Sequence, residues 1–99
     1  MRENEFRSYL ENIESIKSKN KAINSRISRA NTAEEIVEEN LDYVVADDTR
    51  MYDALVKIST DSRERSGNIQ NAVRWYYRFC NSKEFPRMSS FKKINGCEK

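Results

Sequence analysis

Gly67-Asn68-Ile69-Gln70-Asn71-Ala72-Val73-Arg74-Trp75-Tyr76-Tyr77-Arg78-Phe79 carries two kinds of residue on two sides of one helix. Ile69, Ala72, Val73, Tyr76 and Cys80 recur at steps of three and four, the spacing of a stripe that faces a core. Asn71, Arg74 and Arg78 recur at similar steps on another side. Amide and guanidinium groups are the chemistry that reads base edges and holds phosphates. The stretch therefore predicts a helix over 68–81 that both anchors a core and shows a polar, positive surface.

The rest of the chain agrees with a helical reading. Only two Gly and one Pro occur in 99 residues, too few for a turn-rich β fold. The length suits one small domain with one core. Charged residues are 34% and hydrophobic residues 37% of the chain, so a thin core lies under a heavily charged surface. No apolar run is long enough to span a bilayer. Met1-Arg2-Glu3-Asn4-Glu5 is acidic and polar, unlike a signal peptide, and a cytoplasmic location is expected.

Working outward from the decisive stretch, four main helices are predicted. The first runs from Glu3 to Lys17 on a stripe of Phe6, Tyr9, Leu10, Ile13 and Ile16. The second runs from Lys21 to Asn31 with Ile23, Ile27 and Ala30 inward. Thr32-Ala33-Glu34-Glu35 has the form of a capping box, so a separate short acidic helix carrying Ile36 and Val37 is expected after it. Leu41-Asp42-Tyr43-Val44-Val45 reads as a packed connector or a turn of helix, since a lone strand has no partner. Asp47 or Asp48 caps the third helix, Thr49 to Ser59, with Met51, Leu55 and Ile58 on one face. Thr60 to Ser66 is expected to be a flexible polar linker before the fourth helix, and Phe85-Pro86 marks a turn out of it. The fold class expected is all-α, a small four-helix bundle over residues 1–86. A basic tail, 87–99, follows with Met88, Phe91 and Ile94 as anchors.

Charge is segregated along the chain although the net value is only +2. Lys17, Lys19, Lys21, Arg26 and Arg29 occur in a segment without acids. Between Glu34 and Asp53 the acids dominate, with Arg50 as the single base. From Arg63 to Lys93 bases again outnumber acids. If the two basic segments fold together, the molecule has one positive and one negative face.

Phe6-Arg7-Ser8-Tyr9-Leu10 and Ala22-Ile23-Asn24-Ser25-Arg26-Ile27-Ser28-Arg29 resemble the first two helices of the core-binding, SAM-like N-terminal domain of tyrosine recombinases and phage integrases. Asn40-Leu41-Asp42-Tyr43-Val44 with Asp47-Asp48 is similar to that family's connector, and the 68–79 stretch to its last helix. The resemblance implies a bundle gripping one side of duplex DNA, with its second and fourth helices toward the major groove. Carried over, the DNA-binding candidates are Lys21, Asn24, Ser25, Arg26, Ser28 and Arg29, then Asn68, Gln70, Asn71, Arg74 and Arg78. The recombinases carry a second, catalytic domain with a histidine-containing motif. This chain has no histidine and no room for that domain, so recombinase chemistry is not expected.

Other chemistries find little support. There is no Gly-rich phosphate loop and no histidine base for a serine or cysteine nucleophile. Cys80 and Cys97 are too far apart for a paired metal knuckle, and a buried, reduced Cys80 is expected. No catalytic residue, metal, cofactor or small-molecule substrate is expected. The tyrosines read mainly as core, while Trp75 and Tyr77 lie beside the stripe and are expected to be half exposed. Two functions compete. The first is a non-catalytic module for duplex DNA, free-standing or the targeting part of a longer enzyme. The second is a small inhibitor of a nucleic-acid-processing protein, using Glu34, Glu35, Glu38 and Glu39 as a mimic of phosphate charge.

Overall fold

A computed structural model describes residues 1–13 and 19–85 of the chain. The chain is all-α there: α1 Glu3–Glu11, α2 Lys19–Val37, α3 Leu41–Val45, α4 Asp48–Ser59 and α5 Asn68–Asn81. α5 has the bounds its periodicity predicts, and α4 begins one residue before the expected start. The Asp47 carboxylate accepts from the Thr49 and Arg50 amides at 2.7 and 3.3 Å, which satisfies two of the donors a helix start leaves open.

The second helix differs from its sequence reading. α2 does not stop at Asn31, and no separate acidic helix follows. The Thr32 hydroxyl donates back to the Ser28 carbonyl at 3.1 Å, a mid-helix bond, instead of capping a new start. Burial explains the continuity. Ala33, Ile36 and Val37 prolong the inward stripe of Ile23, Ile27 and Ala30, so breaking the helix would expose them. α2 ends at Glu38, whose φ of 59° is left-handed and whose amide donates to the Glu34 carbonyl at 2.8 Å. The short helix between the second and third main helices is instead α3, with Asn40 as its cap: the side chain accepts from the Asp42 amide at 2.7 Å.

α1 is shorter than its stripe predicts. Asn12 Nδ2 donates to the Ser8 carbonyl at 2.9 Å, and the Asn12 and Ile13 amides reach back only three residues. Such tight closing bonds end a helix. Ile16, the expected extension to Lys17 and the basic tail lie outside the described residues.

One core joins the five helices. Phe6, Leu10, Leu41, Met51, Leu55, Ile58, Val73 and Tyr76 are each inaccessible to solvent. Burying one such side chain contributes about 1.5–3 kcal/mol before entropy is counted. α1 meets the C-terminal half of α5 through rings: Phe6 stands edge-on to Tyr76 at 5.0 Å, and Phe79 lies 5.6 Å from Phe6 and 5.3 Å from Tyr9. Tyr77 is only 1% exposed, contrary to the half-exposed position expected for it. Its hydroxyl donates to Asp48 Oδ1 at 2.7 Å, and its ring meets Phe85 edge-on at 5.1 Å. A satisfied hydroxyl is what permits full burial. No helix among the described residues is long and apolar enough to cross a membrane.

Candidate functional site

α2 and α5 run side by side in opposite directions. Arg26 of α2 lies at Trp75 of α5, while Arg29 and Thr32 lie near Asn68 and Ile69 at the start of α5. The two basic segments, far apart in sequence, thus share one flank. Its centre is the half-buried Trp75, with the Arg26 guanidinium carbon 5.4 Å and the Arg78 guanidinium carbon 5.1 Å from its ring. A ring within about 6 Å attracts a cation and fixes it in place. Such a contact uses the guanidinium face and not its N–H groups, which lie along the edges.

The cations here differ in their partners. Arg26 Nε is buried from solvent with no hydrogen-bond acceptor. Desolvation, with Arg29 nearby, lowers the Arg26 pKa. Arg74 is lowered by desolvation as well, against the pull of Glu84. It donates to the Phe85 carbonyl at 3.1 Å and sits 5.7 Å from the Phe85 ring. Arg78 is 3.7 Å from Glu84. Asn71, Arg74, Trp75, Arg78, Glu84 and Phe85 surround an open hollow of about 190 Å³. Phe85, read from sequence only as part of a turn, is buried and forms one wall. A single aromatic next to proline gave no local signal of that.

The structure divides the predicted DNA-binding set. It gathers Arg26, Arg29, Asn71, Arg74 and Arg78 along the α2–α5 flank. Asn24 is not among them. Its Oδ1 accepts from Arg7 Nη1 of α1 at 2.8 Å, which puts it on the opposite flank of α2, roughly 160° around the helix from Arg26. Lys21 is exposed and, by the same geometry, lies between those flanks on the outer side of α2. Gln70 is half-buried and its amide and side chain both turn to Glu64 at the start of α5.

The predicted acidic set is divided too. Glu34 Oε2 accepts from the Leu41 amide at 2.9 Å and lies 3.1 Å from the Met1 ammonium, so this carboxylate is engaged inside the fold. Glu35 is 3.5 Å from Arg63. Glu38 and Glu39 are exposed at the end of α2.

On the side of α5 that faces α1 and α3 the polar groups close on one another. The Tyr76 hydroxyl donates to Asp42 Oδ1 and accepts from the Arg2 amide at 2.8 Å. Arg2 Nε donates to the same Asp42 oxygen at 3.3 Å, and its Nη2 to Cys80 Sγ at 3.0 Å. Partial burial opposes the Asp42 charge, but the bonds from Tyr76 and Arg2 hold its pKa below the ordinary carboxylate value. Burial pushes the Cys80 thiol up, with Arg2 working against it. Cys80 is thus half-buried, not fully buried as expected. Arg2 was not a candidate, because an isolated arginine near Met1 carries no pattern.

Comparison with protein families, with curated proteins and with solved structures finds no match to this chain.

Proposed function

We propose that the α2–α5 flank binds duplex DNA and does no chemistry on it. The observation that carries this reading is the convergence of Arg26 and Arg78, from two helices, on Trp75. Guanidinium groups held by an aromatic face, with only the exposed Glu84 beside Arg78, are suited to phosphate oxygens. Because Trp75 is already covered by cations, it is a mount for them and not a platform for stacked bases. This favours a double-stranded ligand recognised through its backbone. Asn71, beside Arg74 and Arg78, is the side chain placed to reach a base edge. The resemblance to integrase core-binding domains points the same way. The competing reading needs a free acidic run, and Glu34 is turned inward against it.

Fluorescence anisotropy with a labelled duplex tests the proposal. Binding should weaken as salt rises, with a log–log slope of about −0.9 for each phosphate neutralised. Arg74→Gln with Arg78→Gln should shrink that slope by about 1.8 and weaken binding at least severalfold. Absence of any binding at low salt overturns the reading. Capture of a nucleic-acid-processing protein, lost on reversing Glu38 and Glu39, would replace it.

A further inference from the structure

The segment between α4 and α5 is nearly neutral in sequence: Asp61, Arg63, Glu64 and Arg65 alternate in sign. Folding polarises it. Glu64 turns to backbone amides, and Asp61 closes on Arg63, taking its amide and, through both oxygens, its Nε and Nη2 at 3.0 and 3.2 Å. Asp61 Oδ1 accepts from the Arg63 amide at 2.8 Å. Glu64 accepts from the amides of Arg65, Ile69 and Gln70 at 2.9, 2.8 and 2.8 Å. Glu64 thereby closes the start of α5, where Gly67 stands at the cap position with a φ of 77° and offers no side chain. The expected flexible linker is therefore held at both of its acids.

With Glu64 drawn in and Asp61 committed to Arg63, Arg65 is left without an acid among the described residues. Arg63 and Arg65 are exposed, and together with Arg29 and Thr32 of α2 and Asn68 of α5 they line an open groove of about 320 Å³. Arg29 and Arg65 have no acidic partner among the described residues. Arg63 is shared between Asp61 at 3.0 Å and Glu35 at 3.5 Å, both exposed enough for water to weaken the pairs. Thr32 and Asn68 add neutral hydrogen-bonding groups. Like charges gathered on a concavity from separate elements repel one another, and a bound anion would relieve that repulsion. The two guanidinium forks of Arg29 and Arg65, with the Arg63 charge beside them, match the oxygens of a phosphate group better than a small halide.

We propose that this groove is a phosphate-binding site, set one to two helical turns along the seam from Trp75. The same chemistry serves a phosphodiester of a nucleic-acid backbone or a free phosphate. In the first case the site rests on the DNA reading and extends its footprint. From Asn68 to Arg78 is about 15 Å along α5, a length that spans about four phosphates of one strand.

The test uses the whole chain and the variant Arg29→Gln with Arg65→Gln, whose thermal unfolding is checked against the parent. Two probes are used: a labelled duplex in a salt titration, and inorganic phosphate followed by NMR at the arginine Nε–Hε signals. If the site takes a backbone phosphate, the variant binds duplex severalfold more weakly and its salt slope falls by about 1.8. If the parent ignores duplex but the Arg29 and Arg65 signals shift saturably with inorganic phosphate, the groove is a free-phosphate site and the DNA reading alone fails. If the parent binds duplex and the variant binds equally with the same slope, the groove inference alone fails. Silence toward both probes overturns both.

Discussion

The two sides of α5 use arginine in opposite ways. On the side facing α1 and α3, the half-exposed Arg2 side chain donates to Asp42 and to the Cys80 sulfur and lies 5.1 Å from the Phe79 ring, while its amide donates to the Tyr76 hydroxyl. On the α2 side, Arg26 and Arg78 meet the Trp75 ring, Arg26 Nε has no acceptor among the described residues, and Arg78 has beside it the exposed Glu84 at 3.7 Å. A cation whose donors are taken by a carboxylate of its own chain is part of the architecture. A cation that is positioned but not answered leaves interaction energy for a ligand to collect. This contrast, more than the net charge of +2, is what points to the flank.

The largest effect should come from breaking the closed side. Tyr76→Ala removes a fully buried ring from the aromatic cluster and should cost about 3–5 kcal/mol in urea unfolding. Tyr76→Phe keeps the ring and separates the hydroxyl's share, about 1–3 kcal/mol. A loss under 0.5 kcal/mol in Tyr76→Phe would mean that the Asp42 network contributes little. Next in size is Glu64→Ala, which strips acceptors from the Ile69 and Gln70 amides and should cost about 0.5–2 kcal/mol. Hydrogen exchange should rise first in the first turn of α5.

Breaking the open flank should read differently. Trp75→Leu removes two cation–ring contacts of about 0.5–1 kcal/mol each, a modest stability loss. Its main effect should be on duplex binding, which weakens severalfold as Arg26 and Arg78 lose their mount. Equal affinity in that variant would show that Trp75 does not position them.

Titration should report the answered groups and not the flank. Asp42 and Glu64 have folded pKa values below their ordinary 3.8 and 4.5. For Glu64, burial works against the charge but the Ile69 and Gln70 amides prevail. A lowered folded value means that the unfolded chain takes up protons first. The stabilisation is therefore complete above about pH 5 and declines as pH falls through 4.5 and below. Tyr77 is the opposite case, pushed up to about 12 by burial and by its bond to Asp48. Its contribution is complete below pH 10 and is lost as pH rises toward 12. Melting temperature measured across pH checks both limbs. The smallest change should be Thr32→Ala. If Thr32 is mid-helix, the substitution is neutral or stabilising by a few tenths of a kcal/mol, whereas a true cap would cost about 1 kcal/mol.

Local pattern explains which parts of the chain were legible. α5 and α4 are marked by apolar residues at steps of three and four, and Asp47 caps α4 within its own turn. These interactions are short in sequence, so a linear reading finds them. Thr32 misled because Thr-x-x-Glu fits both a helix start and a helix interior. Only the burial of Ala33, Ile36 and Val37 decides between them. Asn24 misled because side-chain chemistry does not reveal that α1 will cover its flank of α2. Arg63 and Arg65 read both as members of a charged linker and as the start of a basic segment, and nothing local shows that Glu64 will turn to the Ile69 and Gln70 amides and leave Arg65 without an acid.

The sequence by itself determined the helical class, the inward stripes and the identity of the basic segments. Periodicity and composition act residue by residue and need no partner. Only the tertiary structure decided that Arg26 and Arg78 share Trp75, that Glu34 is used inside the fold, and that a neutral linker becomes a positive edge. Each of those depends on which helix lies across from which. That choice is made by burial of the whole core at once, not by any single stretch of chain.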